Sequence, residues 1–272
     1  MKALSSHSTN GFTLIELVVV VVLVAALAVG LTSIITDTTK GYVEAEGRLN
    51  MASSARLVID KLSRDIREAM PNSVRVNAAN TCVEFVPILA AATYTDLPIT
   101  TAGTEVTVVE QDSSSRISSL APASTYLMII PLNSSEVYSL SSGHVASITG
   151  FSKLGSNLTE VAINATRFTR ESPQNRAFFV SQPVSYCLVG DELLRFSNYG
   201  FNTAQPSANA MGIGEIVVKP LSTLDRQGAL VSIFTYDSGS LNRGGILQVR
   251  LIVSARDERV NVEHEIHVRN FP

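Results

Sequence analysis

The sequence predicts an α+β protein: a long N-terminal α-helix packed on a C-terminal antiparallel β domain. Three observations predict it. From Phe12 to Ile35 the chain carries a single ionisable side chain, Glu16, in a run of Leu, Val, Ile, Ala, Gly, Thr and Ser. Within 36–70, Ala52, Ala55, Ile59, Leu62, Ile66 and Ala69 recur in alternating steps of three and four, the spacing of one helical face. Beyond residue 72 the spacing shortens to two. In Ile246–Ala255, for example, Leu247, Val249, Leu251 and Val253 fall on one side, and Gln248, Arg250 and Ser254 on the other.

Each element follows from local chemistry. A helix over 12–35 would cover about 36 Å, enough to cross a bilayer core of about 30 Å. Val18 to Val22 are poor helix formers, but in lipid every backbone group must be paired internally, and that requirement outweighs propensity. Gly30, Gly41 and the Thr cluster between them mark a weak patch. The amphipathic half should end at Pro71-Asn72, because proline removes a donor and disfavours helix in the residue before it.

Short strands are expected at Ser73–Asn77, Cys82–Leu89, Glu105–Gln111, Tyr126–Pro131, Val137–Leu140, His144–Ile148, Glu160–Ile163 and Ala177–Val180. Val184–Phe196 reads as a hairpin turning at Gly190-Asp191. Residues 90–120 and 197–214 read as long polar loops, places where a surface ligand would bind. The C-terminal end reads as a meander of Leu230–Tyr236, Ile246–Ala255 and Val260–Arg269, with turn chemistry at Asn242-Arg243-Gly244-Gly245.

Glu16 is the one costly residue in the apolar run. A carboxylate in hydrocarbon costs on the order of 3 kcal/mol or more, and no basic side chain lies nearby on the same helix. The least costly partner is an α-amino group made by cutting between Gly11 and Phe12, on this chain or a neighbour. The stretch Gly11-Phe12-Thr13-Leu14-Ile15-Glu16, followed by the apolar run, resembles the type IV prepilin signature. The resemblance implies cleavage after Gly11 by a prepilin peptidase, N-methylation of Phe12, and a role for Glu16 in entering a growing fibre. It divides the chain into a leader (1–11), a transmembrane and assembly helix (12–35), an amphipathic helix (36–70) and a periplasmic β-rich domain (71–272). It further implies an inner-membrane precursor, contacts with major and minor pilins through 12–70, and an inner-membrane assembly machinery.

Three further stretches narrow the resemblance. Tyr186-Cys187-Leu188-Val189-Gly190-Asp191-Glu192-Leu193-Leu194-Arg195 is similar to a segment of large minor pilins. Gly41–Arg48 and the ending Glu265–Pro272 resemble MshO-type minor pilins of mannose-sensitive haemagglutinin pili. That implies assembly or initiation of such a pilus. A bulky J-like pseudopilin of type II secretion and a pilus-tip adhesin stand as alternatives.

Composition fits a structural protein. The chain has 272 residues, 17% charged, with formal net charge −3, so nothing in the balance suggests a nucleic-acid partner. About 200 residues remain beyond the helix, enough for a sizeable core. An N-terminal anchor with a short leader puts that bulk where disulfides persist. Cys82 and Cys187 sit in strand-like contexts, and a bridge between them is expected, with two buried free thiols as the alternative. No metal site is expected from two cysteines without nearby histidine. His264 and His267 are three apart in an alternating strand and point to opposite faces. No Ser-His-acid order, G-x-S-x-G, P-loop or Rossmann glycine pattern is present, so neither an enzyme nor a cofactor is expected.

Overall fold

The computed structural model describes residues 11–110, 117–155, 157–225, 227–239, 244–255 and 258–268. Residues 1–10 of the expected leader, Gln111, the turn residues Asn242 and Arg243, and Arg269 to Pro272 lie outside the described residues. The chain divides into two compact units, Met1–Asn50 and Met51–Pro272. Helix α1 (Leu14–Arg67) runs from the first into the second.

In chain order the strands are β1 (Arg75–Val76), β2 (Cys82–Phe85), β3 (Ile88–Asp96), β4 (Gly103–Val109), β5 (Tyr126–Met128), β6 (Val145–Lys153), β7 (Leu158–Thr166), β8 (Arg176–Val180), β9 (Val184–Val189), β10 (Glu192–Phe196), β11 (Glu215–Val218), β12 (Phe234–Asp237), β13 (Gly245–Ala255) and β14 (Glu258–Val268). A short helix, α2 (Ser134–Tyr138), lies between β5 and β6. The strands make a five-stranded sheet ordered β1-β2-β9-β10-β11, a three-stranded sheet ordered β12-β13-β14, and a closed barrel ordered β3-β4-β7-β6-β5-β8. Every strand pairing is antiparallel.

In the first unit the helix is continuous through Gly30 and Gly41. The hydroxyls of Thr32, Thr36, Thr38 and Thr39 each donate to the carbonyl four residues earlier, at 2.7 to 2.8 Å, so the expected weak patch keeps its side-chain donors satisfied.

In the second unit the helix buries Met51, Ala55, Val58, Ile59, Leu62, Ser63 and Ile66. That face packs on both sheets: Val83, Phe85, Val184, Tyr186 and Leu193 from one, Phe234, Leu247, Val249, Leu251 and Ile266 from the other. The expected stripe is in place, except that Ala52 is half-buried and Val58 carries part of its load. The helix stops at Arg67, before the expected proline. The Met70 amide donates to the Val86 carbonyl (2.7 Å) and the Glu68 carbonyl accepts from Ile88 (3.0 Å), so the chain joins the strands ahead of Pro71.

The barrel has its own core, including Val106, Val108, Leu127, Ile148, Val161, Ala177 and Phe179. All its strands lie between β2 and β9, which pair directly. The barrel is therefore an insertion into one antiparallel pair. Two expectations change. Residues 90–120 are not one long loop: they hold most of β3 and all of β4. Val137 and Tyr138 end helix α2 rather than beginning a strand, because Asn133 caps that helix, its Oδ1 accepting the Glu136 amide at 3.0 Å. The Val184–Phe196 hairpin forms as expected, with Gly190 at φ 63° in its turn. The C-terminal meander also forms, its first strand beginning at Phe234.

Candidate functional site

The N-terminal segment is built around a helix start. Gly11, Phe12 and Thr13 precede α1, and the Thr13 carbonyl accepts from the amides of Glu16 (3.1 Å) and Leu17 (3.3 Å). Glu16 lies in the first turn, where the N-terminal end of the helix dipole favours a carboxylate. Phe12 is 80% exposed, and among the described residues, chain neighbours apart, nothing lies within 4 Å of the position a Gly11 side chain would take. The peptide between Gly11 and Phe12 is thus non-helical and uncrowded, two properties a protease needs.

Behind it the helix is long and apolar enough to cross a membrane, its mean hydropathy peaking at 3.0 over a window with no residue buried. Large side chains from Leu14 to Ile35 stand exposed along it. Such a surface requires lipid or other helices around it.

In the second unit Cys82 and Cys187 are joined by a disulfide. They are register partners across β2 and β9, with Cα atoms 4.1 Å apart, so the bridge is built by strand pairing itself. Phe196 and Met211 pack over it.

Sequence reasoning missed a buried polar cluster beside that pair. The Glu84 side chain is fully buried; its Oε2 accepts from Arg75 Nε (2.6 Å) and its Oε1 from the Tyr199 hydroxyl (3.0 Å). The guanidinium also donates to the carbonyls of Thr203 (2.7 Å) and Asn202 (2.9 Å) and lies 3.6 Å from the centre of the Tyr138 ring. Burial pushes the Glu84 carboxyl above its ordinary pKa, outweighing the pull of Arg75 and Tyr199. Burial likewise pushes the Tyr138 and Tyr199 hydroxyls up, and Glu84 adds to both. This cluster ties residues 199–203, part of the expected polar loop 197–214, to β1 and β2. The signal was a lone acid in an apolar strand, Cys-Val-Glu-Phe-Val.

A second anchor joins helix to sheet. The Tyr186 hydroxyl donates to Asp65 Oδ2 at 2.7 Å, and burial followed by Asp65 pushes the Tyr186 hydroxyl well up.

Neither cluster has the layout of an active site. His144 is buried, with Nδ1 3.0 Å from the Ile129 carbonyl and Nε2 2.8 Å from Thr169 Oγ1, and it fastens β6 to its surroundings. His264 is exposed and lines a groove of about 390 Å³ with Asp60, Ser63, Arg64, Arg67 and Glu68; His267 is exposed on the same strand. Among the described residues no group of three or more His, Cys, Asp or Glu side chains is placed to hold a metal ion.

A family model described as "Prokaryotic N-terminal methylation motif" matches residues 6–32, the segment that ends in the helix start and the exposed apolar run. No curated protein and no solved structure matches the chain. The match supports a type IV pilin-like protein, points to a structural rather than enzymatic role, and agrees with anchoring of the apolar helix in a membrane.

Proposed function

We propose that this chain is a minor pilin of a type IV pilus, of the MshO type found in mannose-sensitive haemagglutinin pili, acting in assembly or initiation of the fibre. The observation that carries the pilin reading is the pairing of an uncrowded, non-helical Gly11-Phe12 peptide with Glu16 in the first turn of an uncovered apolar helix. Sequence similarity at Gly41–Arg48 and Glu265–Pro272 supports the MshO type.

In this reading the precursor sits in the inner membrane with its β domains in the periplasm. The prepilin peptidase cuts after Gly11, and Phe12 becomes the methylated N-terminus. Glu16 then meets the α-ammonium of a neighbouring Phe12. In a dry helix-packed core that opposite charge stabilises a carboxylate far more than water would. Contacts with other helices replace lipid around 12–35, and the inner-membrane machinery drives the transfer. The barrel inserted between β2 and β9 makes the head bulky, which suits an end of the fibre better than a closely repeated shaft.

The test is the intact mass and N-terminal sequence of the membrane-expressed protein with and without active prepilin peptidase. Loss of residues 1–11 and gain of one methyl on Phe12, only with the peptidase, is expected. An uncut chain, or a cut beyond residue 30, would overturn the reading. For the end-of-fibre role, labelled protein at high copy along whole fibres would overturn it.

A further inference from the structure

The histidine that fastens β6 also holds a surface hydroxyl. His144 stands at the entry of β6 and is 2% exposed, whereas Thr169, in the segment after β7, is exposed. Gly143 brings the two together. The Thr169 amide donates to the Gly143 carbonyl (3.1 Å). Gly143 has φ 73°, and a Cβ there would come within 2.6 Å of the Thr169 methyl, so only glycine admits this approach. With amide and methyl placed, the Thr169 hydroxyl lies 2.8 Å from His144 Nε2. The Gly143 carbonyl is a remoter acceptor at 3.5 Å.

The direction of the short bond follows from the other side of the ring. His144 Nδ1 lies 3.0 Å from the Ile129 carbonyl, which can only accept, so Nδ1 carries a hydrogen. In the neutral ring Nε2 then has a lone pair, and the Thr169 hydroxyl donates to it. A hydroxyl bonded to a base, with the base oriented by a third group, is the arrangement that activates a weak oxygen nucleophile. Among the described residues no other histidine nitrogen is bonded to a hydroxyl.

A charged group completes the arrangement. Glu136 Oε2 lies 3.4 Å from Nε2, where it stabilises the imidazolium formed when the ring takes a proton. Burial pushes the Glu136 carboxyl up, but the Leu132 amide and Arg170 outweigh that and hold it ionised, below its ordinary pKa. The Arg170 guanidinium grips both carboxylate oxygens, at 3.0 and 3.2 Å. The Thr169 amide is taken by Gly143, so it does not serve as an oxyanion donor, and an acyl donor has to carry a good leaving group.

We propose that Thr169 is a modification site: its hydroxyl accepts an acyl group from an activated ester, with His144 as general base. Thr169 Oγ1 attacks the carbonyl carbon, and its proton passes to His144 Nε2. The tetrahedral adduct expels the alkoxide or phenoxide, which takes the proton from Nε2 and leaves as the alcohol. Thr169 ends as an ester, the ring returns to its starting form, and nothing is oxidised or reduced. None of these steps depends on processing at Gly11.

p-Nitrophenyl acetate tests this on the full-length chain in detergent, with the acetylated residues located by peptide mass mapping. Thr169 is expected to be acetylated about a hundredfold faster than the other exposed threonine hydroxyls. His144→Gln keeps a polar side chain but cannot take the proton. It is expected to remove that advantage while the Cys82–Cys187 bridge still forms. Acetylation spread evenly over exposed threonines overturns the proposal, and so does an advantage that survives His144→Gln. Should His144→Gln lose the bridge and misfold, the wild type decides in heavy water. Proton transfer to His144 makes acetylation of Thr169 slower there than in ordinary water. An equal rate in the two solvents overturns the proposal.

Discussion

Glu84 shows how one residue can order a surface loop and cost stability at the same time. Its carboxylate gathers Arg75 and Tyr199, and through Arg75 the carbonyls of Asn202 and Thr203. Removing a charge from water is expensive, and here burial outweighs the pairing, so the folded pKa is raised. A raised carboxyl pKa means that the folded state holds its proton more readily than the unfolded state. The contribution is therefore present below the unfolded pKa and is lost as pH rises through the folded one. Glu84→Gln removes this titration and keeps an oxygen to accept a hydrogen bond. The difference in urea unfolding free energy between variant and wild type, measured in detergent from pH 4 to pH 8, is expected to move in the variant's favour as pH rises. A difference that is flat, or that moves the other way, would show that Arg75 dominates. Glu136 has the opposite sign. Burial pushes its carboxyl up, but the Leu132 amide and Arg170 outweigh that and leave it below its ordinary value. Its contribution is present above the unfolded pKa and is lost as pH falls through the folded one. Glu136→Gln should therefore flatten the acid limb of the stability profile, while an unchanged limb would remove Glu136 as a cause.

At the scale of elements, the two ends of helix α1 obey different rules. In Met51–Ile66 stability comes from one face. Leu62 is 0% exposed in the core shared with both sheets, whereas Leu57 is 71% exposed. Leu62→Ala is expected to cost about 2–5 kcal/mol and Leu57→Ala less than about 0.5 kcal/mol by urea unfolding. Comparable losses would mean that Leu57 also packs on protein. This stripe was legible because helical spacing is local information. So were the Val184–Phe196 hairpin, the last two strands and the Gly11–Glu16 motif. β3 was not, because it runs through Ala90, Ala91 and Ala92, a residue type depleted in strands. Ala90 and Ala92 pack against the barrel core, where a small side chain fits. Helix α2 was misread because Val137-Tyr138 looks like a strand, although Asn133 and Glu136 stand at the spacing of a capping box. Closure of the barrel lies beyond any local pattern, since β8 must find both β3 and β5. The same holds for the Glu84 cluster, whose residues come from distant parts of the chain.

At the scale of the whole molecule, the barrel is separable in principle. Phe85 pairs with Val184, so the chain leaves and re-enters the five-stranded sheet at neighbouring points. No member of the core between helix and sheets lies between Ile88 and Val180. Replacing residues 87–182 with Asn-Gly, a good two-residue hairpin turn, should therefore leave a foldable protein. It would lose the bond from the Tyr138 hydroxyl to the Ser73 carbonyl and the packing of Tyr126 on Phe201, so a lower Tm is expected. Cleavage at Gly11, the Cys82–Cys187 bridge and a single cooperative transition should survive. The bridge supplies an internal check. In the full chain it joins residues 105 apart in sequence. After excision it closes a loop of about a dozen residues, and in the chain-entropy model its contribution falls by about 2 kcal/mol. The cost of Cys82→Ser with Cys187→Ser should therefore be smaller by that amount in the shortened protein than in the full one. An equal cost in both would mean that the barrel already holds the ends of β2 and β9 together in the unfolded chain. Aggregation of the shortened protein would mean that helix and sheets need the barrel in order to fold.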